Sequence, residues 1–327
     1  MSEYYNKNEL FLEPKTTQYG SHMVMTNVQK PKKTKYVNID TRYSDTYDYL
    51  ESSNYNITLP ERINEVKSMT IKSVELPMTF YNISAALGNN YFKLTDYNTD
   101  AVPVHMITVP DGNYTIDSLK NTLNGLFDSI ITPGGVTPND GDIRYYYSGN
   151  FSIFYSNRAR FLIEFDVDSN GGKDKYNLKS KLGWLLGFRK PTYNVNFNYS
   201  DTPPSGTGTN GELLYKSESF IDLNSPKYLY LAIEEFNKGN QNSFVSPVSN
   251  SSVNKNIIAK IIIDNTTYPF NTVLPANNLN GLLLSDTRNY TGKIDLLKLN
   301  VQLLSEYGNV MSLNGIDFSF CLEIEHE

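Results

Sequence analysis

The chain has 327 residues, with 35 Asp and Glu against 29 Lys and Arg, a formal net charge of −6, 39% hydrophobic residues and one cysteine. A chain this long buries roughly 75% of its unfolded surface on folding and needs no disulfide or metal staple. The lone Cys321 excludes an internal disulfide framework and fits a reducing compartment, and the acidic balance argues against wholesale, specific nucleic-acid binding.

Met1-Ser2-Glu3-Tyr4-Tyr5-Asn6 has neither the basic start nor the apolar run of a secretory signal. The longest apolar runs, such as residues 257–263, fall far short of the roughly 18 residues that a spanning helix needs. The expectation is a soluble protein made in a cytoplasm. Aromatics make up 13%, with 25 Tyr and 16 Phe. Codon bias accounts for most of the Tyr and Asn, although both also suit contact surfaces because they bind at low entropy cost.

Residues 1–35 lack the period of a strand or a helix and are expected to form an extended arm. Lys15, Lys30, Lys32, Lys33 and Lys35 fall in a stretch free of acidic residues. Such an arm is a solvated tail in an isolated protein; in an assembly it lies along a neighbour or an anionic surface. Strands are expected over residues 36–40, 56–59, 66–76, 91–94 and 104–109, with Pro77 stopping the third. Pro110-Asp111-Gly112 leads into one helix, with Thr115 as N-cap, Tyr114 against Leu119 as a staple, and Ile116, Leu119, Leu123, Leu126 and Phe127 on one face.

Strand patterning resumes at residues 143–147 and 151–155, and Phe161, Ile163, Phe165 and Val167 alternate with Leu162, Glu164 and Asp166. Leu182-Gly183-Trp184-Leu185-Leu186-Gly187-Phe188 is an apolar turn expected to bury its tryptophan, with the two glycines allowing close backbone packing. Residues 228–233 and 257–263 are further strands. Leu297, Leu299, Val301 and Leu303, then Ile316, Phe318, Phe320, Leu322 and Ile324, alternate as two rows expected to pair in a terminal hairpin. The polar stretches 132–141, 200–211 and 237–256 read as surface loops. The pattern as a whole predicts a mainly β, jelly-roll-type β-sandwich with one or two short helices and long surface loops, residues 36–327 forming a single domain.

Reactive chemistry is sparse. His22, His105 and His326 form no cluster in sequence, and Cys321 has no histidine near it. Gly206-Thr207-Gly208-Thr209-Asn210-Gly211 spells a dinucleotide motif without the preceding strand or following helix that would make it one. Asp166, Asp168, Asn170, Gly171, Asp174 and Asn177 have Ca²⁺-loop spacing but lack the closing Glu, and a turn accounts for them better. The sequons at Asn56, Asn82, Asn113 and Asn265 are chance matches in an Asn-rich chain, and Glu234-Glu235 does not define a glycosidase pair. The sequence therefore points to a non-enzyme without cofactor.

Several features occur in a characteristic order: Lys72-Ser73-Val74-Glu75-Leu76-Pro77, then Phe80-Tyr81-Asn82-Ile83, then Val109-Pro110-Asp111-Gly112-Asn113-Tyr114-Thr115 with its helix. After them come the 182–188 turn, Tyr228-Leu229-Tyr230-Leu231, and a C-terminal segment with Gly308 and Gly315. This series resembles the minor capsid (penton-type) jelly-roll proteins of nucleocytoplasmic large DNA viruses and of Polinton-like elements, over residues 36–327. The resemblance implies a structural subunit of an icosahedral virion without catalytic residues. It would contact copies of itself and other major and minor capsid proteins, with the lysine arm touching those neighbours, an inner membrane or another anionic surface. A carbohydrate-binding jelly roll or attachment-fibre protein is the alternative, suggested by the Tyr- and Asn-rich loops.

Overall fold

The alternating segments fold as strands, although not always beside the partners their order suggests. The computed structural model describes residues 31–97, 103–131, 143–156, 161–195, 213–235 and 256–327. In chain order they form β1 (Lys33–Asp40), β2 (Asn54–Pro77), β3 (Tyr91–Asp96), β4 (Val104–Thr108), α1 (Ile116–Ile131), β5 (Arg144–Ser148), β6 (Phe151–Ser156) and β7 (Phe161–Glu164). Then follow the one-turn helix α2 (Leu182–Leu185), β8 (Thr192–Val195), β9 (Leu213–Lys216), β10 (Tyr228–Glu234), β11 (Ile257–Ile262), β12 (Val273–Asn277), β13 (Leu283–Ser285), β14 (Arg288–Ser305) and β15 (Ser319–His326).

One sheet runs β1-β15-β2-β14-β10-β11-β13, with β12 also on β2. Its pivot is β2. The first half of β2 pairs with β14, and its second half lies between β15 and β12. The turnover is at Glu65, a non-glycine residue at φ 55, where the β14 register also slips. A bulge of this kind bends and twists a strand so that it can serve two layers. The far edge returns to the pivot, where the Ile71 N–H donates to Ser285 Oγ at 3.1 Å and Thr70 Oγ1 donates to Thr287 Oγ1 at 3.0 Å. The sheet thus curls into a jelly-roll-type sandwich whose core is filled by Met69, Ile71, Leu231, Val301, Phe320 and Leu322 among others.

Two sequence expectations need correction here. Residues 56–59 and 66–76 are one bent strand, not two. The terminal rows do not form a hairpin, because β2 lies between β14 and β15. Alternation specifies which face is buried, not which strand lies alongside. Within β14 the parity also slips: Leu296 is 1% exposed and Leu297 36%, across a register shift. The short strands β8, β9, β12 and β13 gave too little pattern to be expected, and Pro275 in the middle of β12 is tolerated because that strand pairs on one side only.

Everything from β3 to β9 is inserted between β2 and β10 of the curled sheet, and it carries a second core. Sheets β4-β3-β7-β8 and β5-β6-β9, with α1, surround Phe92, Phe127, Phe154, Phe165 and Phe188. Their rings meet at centroid distances of 5.3–6.4 Å. Helix α1 starts as expected: Ser118 N donates to Thr115 Oγ1 at 3.3 Å and Thr115 N to Ser118 Oγ at 2.9 Å, a reciprocal cap. Leu119, Leu123 and Phe127 are fully buried. Asn124 pins the helix to β5, its amide exchanging hydrogen bonds of 2.8 and 2.9 Å with the Tyr145 backbone.

The 182–188 turn closes this core with Leu182, Leu185, Leu186 and Phe188. A Cβ at Gly183 would overlap the Phe165 ring. Gly187 has φ +90, and a Cβ there would overlap the Ser219 carbonyl, so only glycine fits.

Strand β1 begins at Lys33, which makes residues 33–35 strand rather than arm. Lys15, Lys30, His22, the Gly206–Gly211 spelling, and the loops 132–141, 200–211 and 237–255 lie outside the described residues.

Candidate interaction surface

The lysines singled out in the sequence lead to one edge of the curled sheet. Antiparallel pairing sets Lys33 opposite His326 and Asp40 opposite Ser319. The Thr41 N–H donates to Phe318 O at 3.1 Å and extends that ladder. Since alternate residues bond across an antiparallel pair, Thr41 fixes the odd-numbered residues toward β15. The N–H and C=O groups of Thr34, Tyr36 and Asn38 then face the other side, where β1 has no strand partner among the described residues.

Side chains along this edge are organised by charge. Lys32 Nζ is 3.2 Å from Glu325, Lys35 Nζ is 2.5 Å from Glu61, and Arg42 is 2.6 Å from Asp40. Glu323 accepts from Tyr36 OH at 2.6 Å and pairs with Lys72 at 2.7 Å. Lys72 holds the Glu323 carboxyl below the usual range, Lys35 does the same to Glu61, and Arg42 to Asp40; the hydrogen bond to Glu323 pushes the Tyr36 phenol up. Exposed pairs like these add little stability, but they fix which way the edge presents its side chains.

Beside the edge runs a groove of about 490 Å³ between β1 and residues 57–63 of β2, floored by Ile39, Ile57, Leu59 and Ile63. It continues into an exposed patch of Tyr43, Tyr47, Tyr49, Leu50 and Ile316, with Tyr36 on β1 itself. Tyr47 OH donates to Asp317 at 3.2 Å, and Tyr49 lies over Gly315. The supporting loop is fixed to β2 by Asp45, whose N–H donates to Asn56 O at 2.9 Å and whose carboxylate accepts from Thr58 N at 2.7 Å. A cluster of large aromatics on a tied-down loop has the composition of a protein contact surface.

A second concavity lies at the seam between the two cores. Trp184, expected to be fully buried, is only partly buried there. The turn presents Leu182, Leu185 and Leu186 inward at helical spacing, which leaves position 184 facing out. Arg189 stacks on the indole at 4.1 Å from the ring centroid and donates to Trp184 O at 2.8 Å. Asn224, Lys227, Glu306 and Tyr307 complete the recess. Burial pushes the Glu306 carboxyl up and the Tyr307 phenol up to about 12.

The remaining sequence candidates have structural partners. In the 166–177 loop Lys173 lies 2.7 Å from Glu164 and 2.8 Å from Asp166, Lys181 lies 2.9 Å from Asp174, and Asp168 accepts from Asn170 N and Gly172 N. Lysine ammonium groups supply the positive charge among these carboxylates, as a structural turn requires. His105 is on β4 opposite Leu94, and Cys321 on β15 is half-buried, its thiol pushed up by burial. Asn82 is buried and donates to Tyr114 O and Leu223 O, at 2.9 and 3.1 Å. Among the described residues, no group of three His, Cys, Asp or Glu is placed to hold a metal ion.

No family model and no curated protein matches the chain. Its fold is similar to solved virus structures. One is a chain of the Sputnik virophage determined by cryo-EM, 12% identical, with a TM-score of 0.37, covering 91% of this chain and 98% of that one. Another is the mavirus penton protein, 7% identical, with a TM-score of 0.39, covering 90% of this chain and all of that one.

Sequence reasoning missed both the aromatic patch and a buried ion pair. Tyr43, Tyr47 and Tyr49 lie in a stretch without strand period, and codon bias hid their meaning. Glu235, read only as half of an unpaired acidic doublet, is buried against Arg288 at 2.5 Å, with Tyr290 OH donating to it at 2.6 Å. Arg288 also donates to Ile233 O and Asn256 O, so it ties β10 to the residue that precedes β11.

Proposed function

We propose that the chain is a minor capsid protein of penton type, a structural subunit in the icosahedral shell of a large DNA virus. It contributes to shell assembly or the five-fold vertex. The observation that carries this is the open side of the curled sheet, where a strand edge without a partner among the described residues, an apolar groove and a tyrosine patch form one continuous face. The ordered motifs that resemble penton-type proteins support the same conclusion. The work of such a subunit is mechanical: a single domain from Lys33 of β1 onward, with its two cores, presents edges and loops, and many individually weak contacts hold a shell together.

The partners are copies of this chain and other major and minor capsid proteins, in a virion assembled from chains made in the host cytoplasm. Lys32 and Lys35 answer Glu325 and Glu61, so among the described lysines of this stretch contact with an inner membrane or another anionic surface falls to Lys33, and the arm lysines Lys15 and Lys30 are proposed to join it. Co-expression with the other shell proteins, followed by sedimentation and electron microscopy, tests the proposal. The chain should co-sediment with particles, and a chain that stays monomeric and unincorporated refutes it. The carbohydrate-binding alternative rests on the partly buried Trp184 ring beside Tyr307 and Asn224. Specific hits on a glycan array, lost in Trp184→Ala, would favour it over the shell.

A further inference from the structure

Resting on the shell reading, we propose that the groove beside β1 receives residues 23–28 of a second copy of this chain, added as a strand to the free edge of β1. Three observations converge on this. The outward N–H and C=O groups of Thr34, Tyr36 and Asn38 offer a ladder about as long as a six-residue strand. The floor of the groove is apolar, formed by Ile39, Ile57, Leu59 and Ile63. Upstream of β1, Met23-Val24-Met25-Thr26-Asn27-Val28 is uncharged, with three β-branched residues and two flexible methionines suited to such a floor.

The donor is a second copy rather than the same chain. A fold-back hairpin would have to turn within Gln29-Lys30-Pro31-Lys32, which lacks the Gly, Asn or Asp of the tight hairpin turns and has Pro31 as its one turn former. Pro31 biases Lys30 toward extended backbone, and Lys32 is drawn to Glu325 on β15, away from the free edge. The tether between the donated strand and its own β1 is residues 29–32, which span about 13 Å at about 3.3 Å per extended residue, so the two copies meet with the start of one β1 close to the free edge of the other. Strand addition also covers the edge that would otherwise pair indiscriminately.

The test is amide hydrogen exchange at Tyr36 and Asn38 in the full chain as a function of protein concentration, with Val24→Pro/Thr26→Pro as the variant. The two prolines remove N–H donors from the donated strand, and an unchanged melting curve confirms folding. We expect exchange at both amides to slow roughly tenfold or more on going from dilute to concentrated protein, and the variant to abolish the slowing. A synthetic peptide of residues 20–30 should restore protection to the variant. Protection independent of concentration assigns the strand to the same chain and overturns the proposal. Fast exchange at every concentration, or protection unchanged in the variant, overturns it as well. Particles that form while both amides still exchange freely refute strand addition and leave the shell reading standing. Concentration-dependent protection without particle formation supports strand addition and counts against the shell.

Discussion

In the 182–188 turn, the smallest side-chain change is expected to cost more than the largest. Gly187 is held at φ +90, and an added Cβ would overlap the backbone carbonyl of Ser219, which cannot swing away as a side chain would. The left-handed backbone costs an alanine about 1–2 kcal/mol, the overlap about 1–3, and weakening the bond from Ser219 N to Gly187 O about 1 more. We expect Gly187→Ala to lose about 4 kcal/mol. Trp184→Ala would lose about 3–5 kcal/mol from a fully buried site. With the residue partly buried, about 160 Å² of burial at about 25 cal/mol/Å² gives about 4 kcal/mol as an upper figure, and a compact unfolded state lowers that to about 2.5–3.5, still below the Gly187→Ala loss. The stacked Arg189 does not change the order. Equilibrium urea denaturation followed by circular dichroism measures both. A Trp184→Ala loss that exceeds the Gly187→Ala loss would refute the packing described for this turn.

Three further outcomes follow from polar contacts. Arg288→Met should destabilise by about 3–5 kcal/mol by stranding the buried Glu235, and Arg288→Met/Glu235→Gln should recover most of that loss; an additive double mutant would show that the pair is not coupled. Burial raises the Glu306 carboxyl above its ordinary 4.5, so its contribution is fully present below that value and is lost as pH rises through the raised folded value. Glu306→Gln should therefore stabilise the protein at pH 7 and make no difference below pH 4.5, as thermal melts across pH would read; a variant less stable at pH 7 contradicts the assignment. Thr115→Ala should cost about 1 kcal/mol in the same denaturation assay by removing the cap of α1.

Local order was legible where a segment carried enough of its own pattern. The start of α1 was written in Thr115, Leu119, Leu123 and Phe127, and the buried face of β15 in Phe318, Phe320, Leu322 and Ile324. Pairing was not legible, because β2 is separated from β14 and β15 by more than two hundred residues and nothing in their alternation names a neighbour. The bend at Glu65 was invisible for a different reason: a non-glycine residue adopts a positive φ there only because both layers of the sheet demand it. Trp184 was misplaced because composition alone marks a tryptophan for the core, whereas three leucines at helical spacing had already filled it. The lysines pointed to the right edge of the sheet, but the tyrosines beside them carried the stronger sign of a contact surface.

An electron cryomicroscopy map of intact particles containing this chain tests the central proposal most directly. The subunit should be found within the shell, with the β1 edge and the Tyr43–Tyr49–Ile316 patch buried against neighbouring protein. A shell without the chain, or a subunit whose β1 edge and tyrosine patch face solvent, would contradict it.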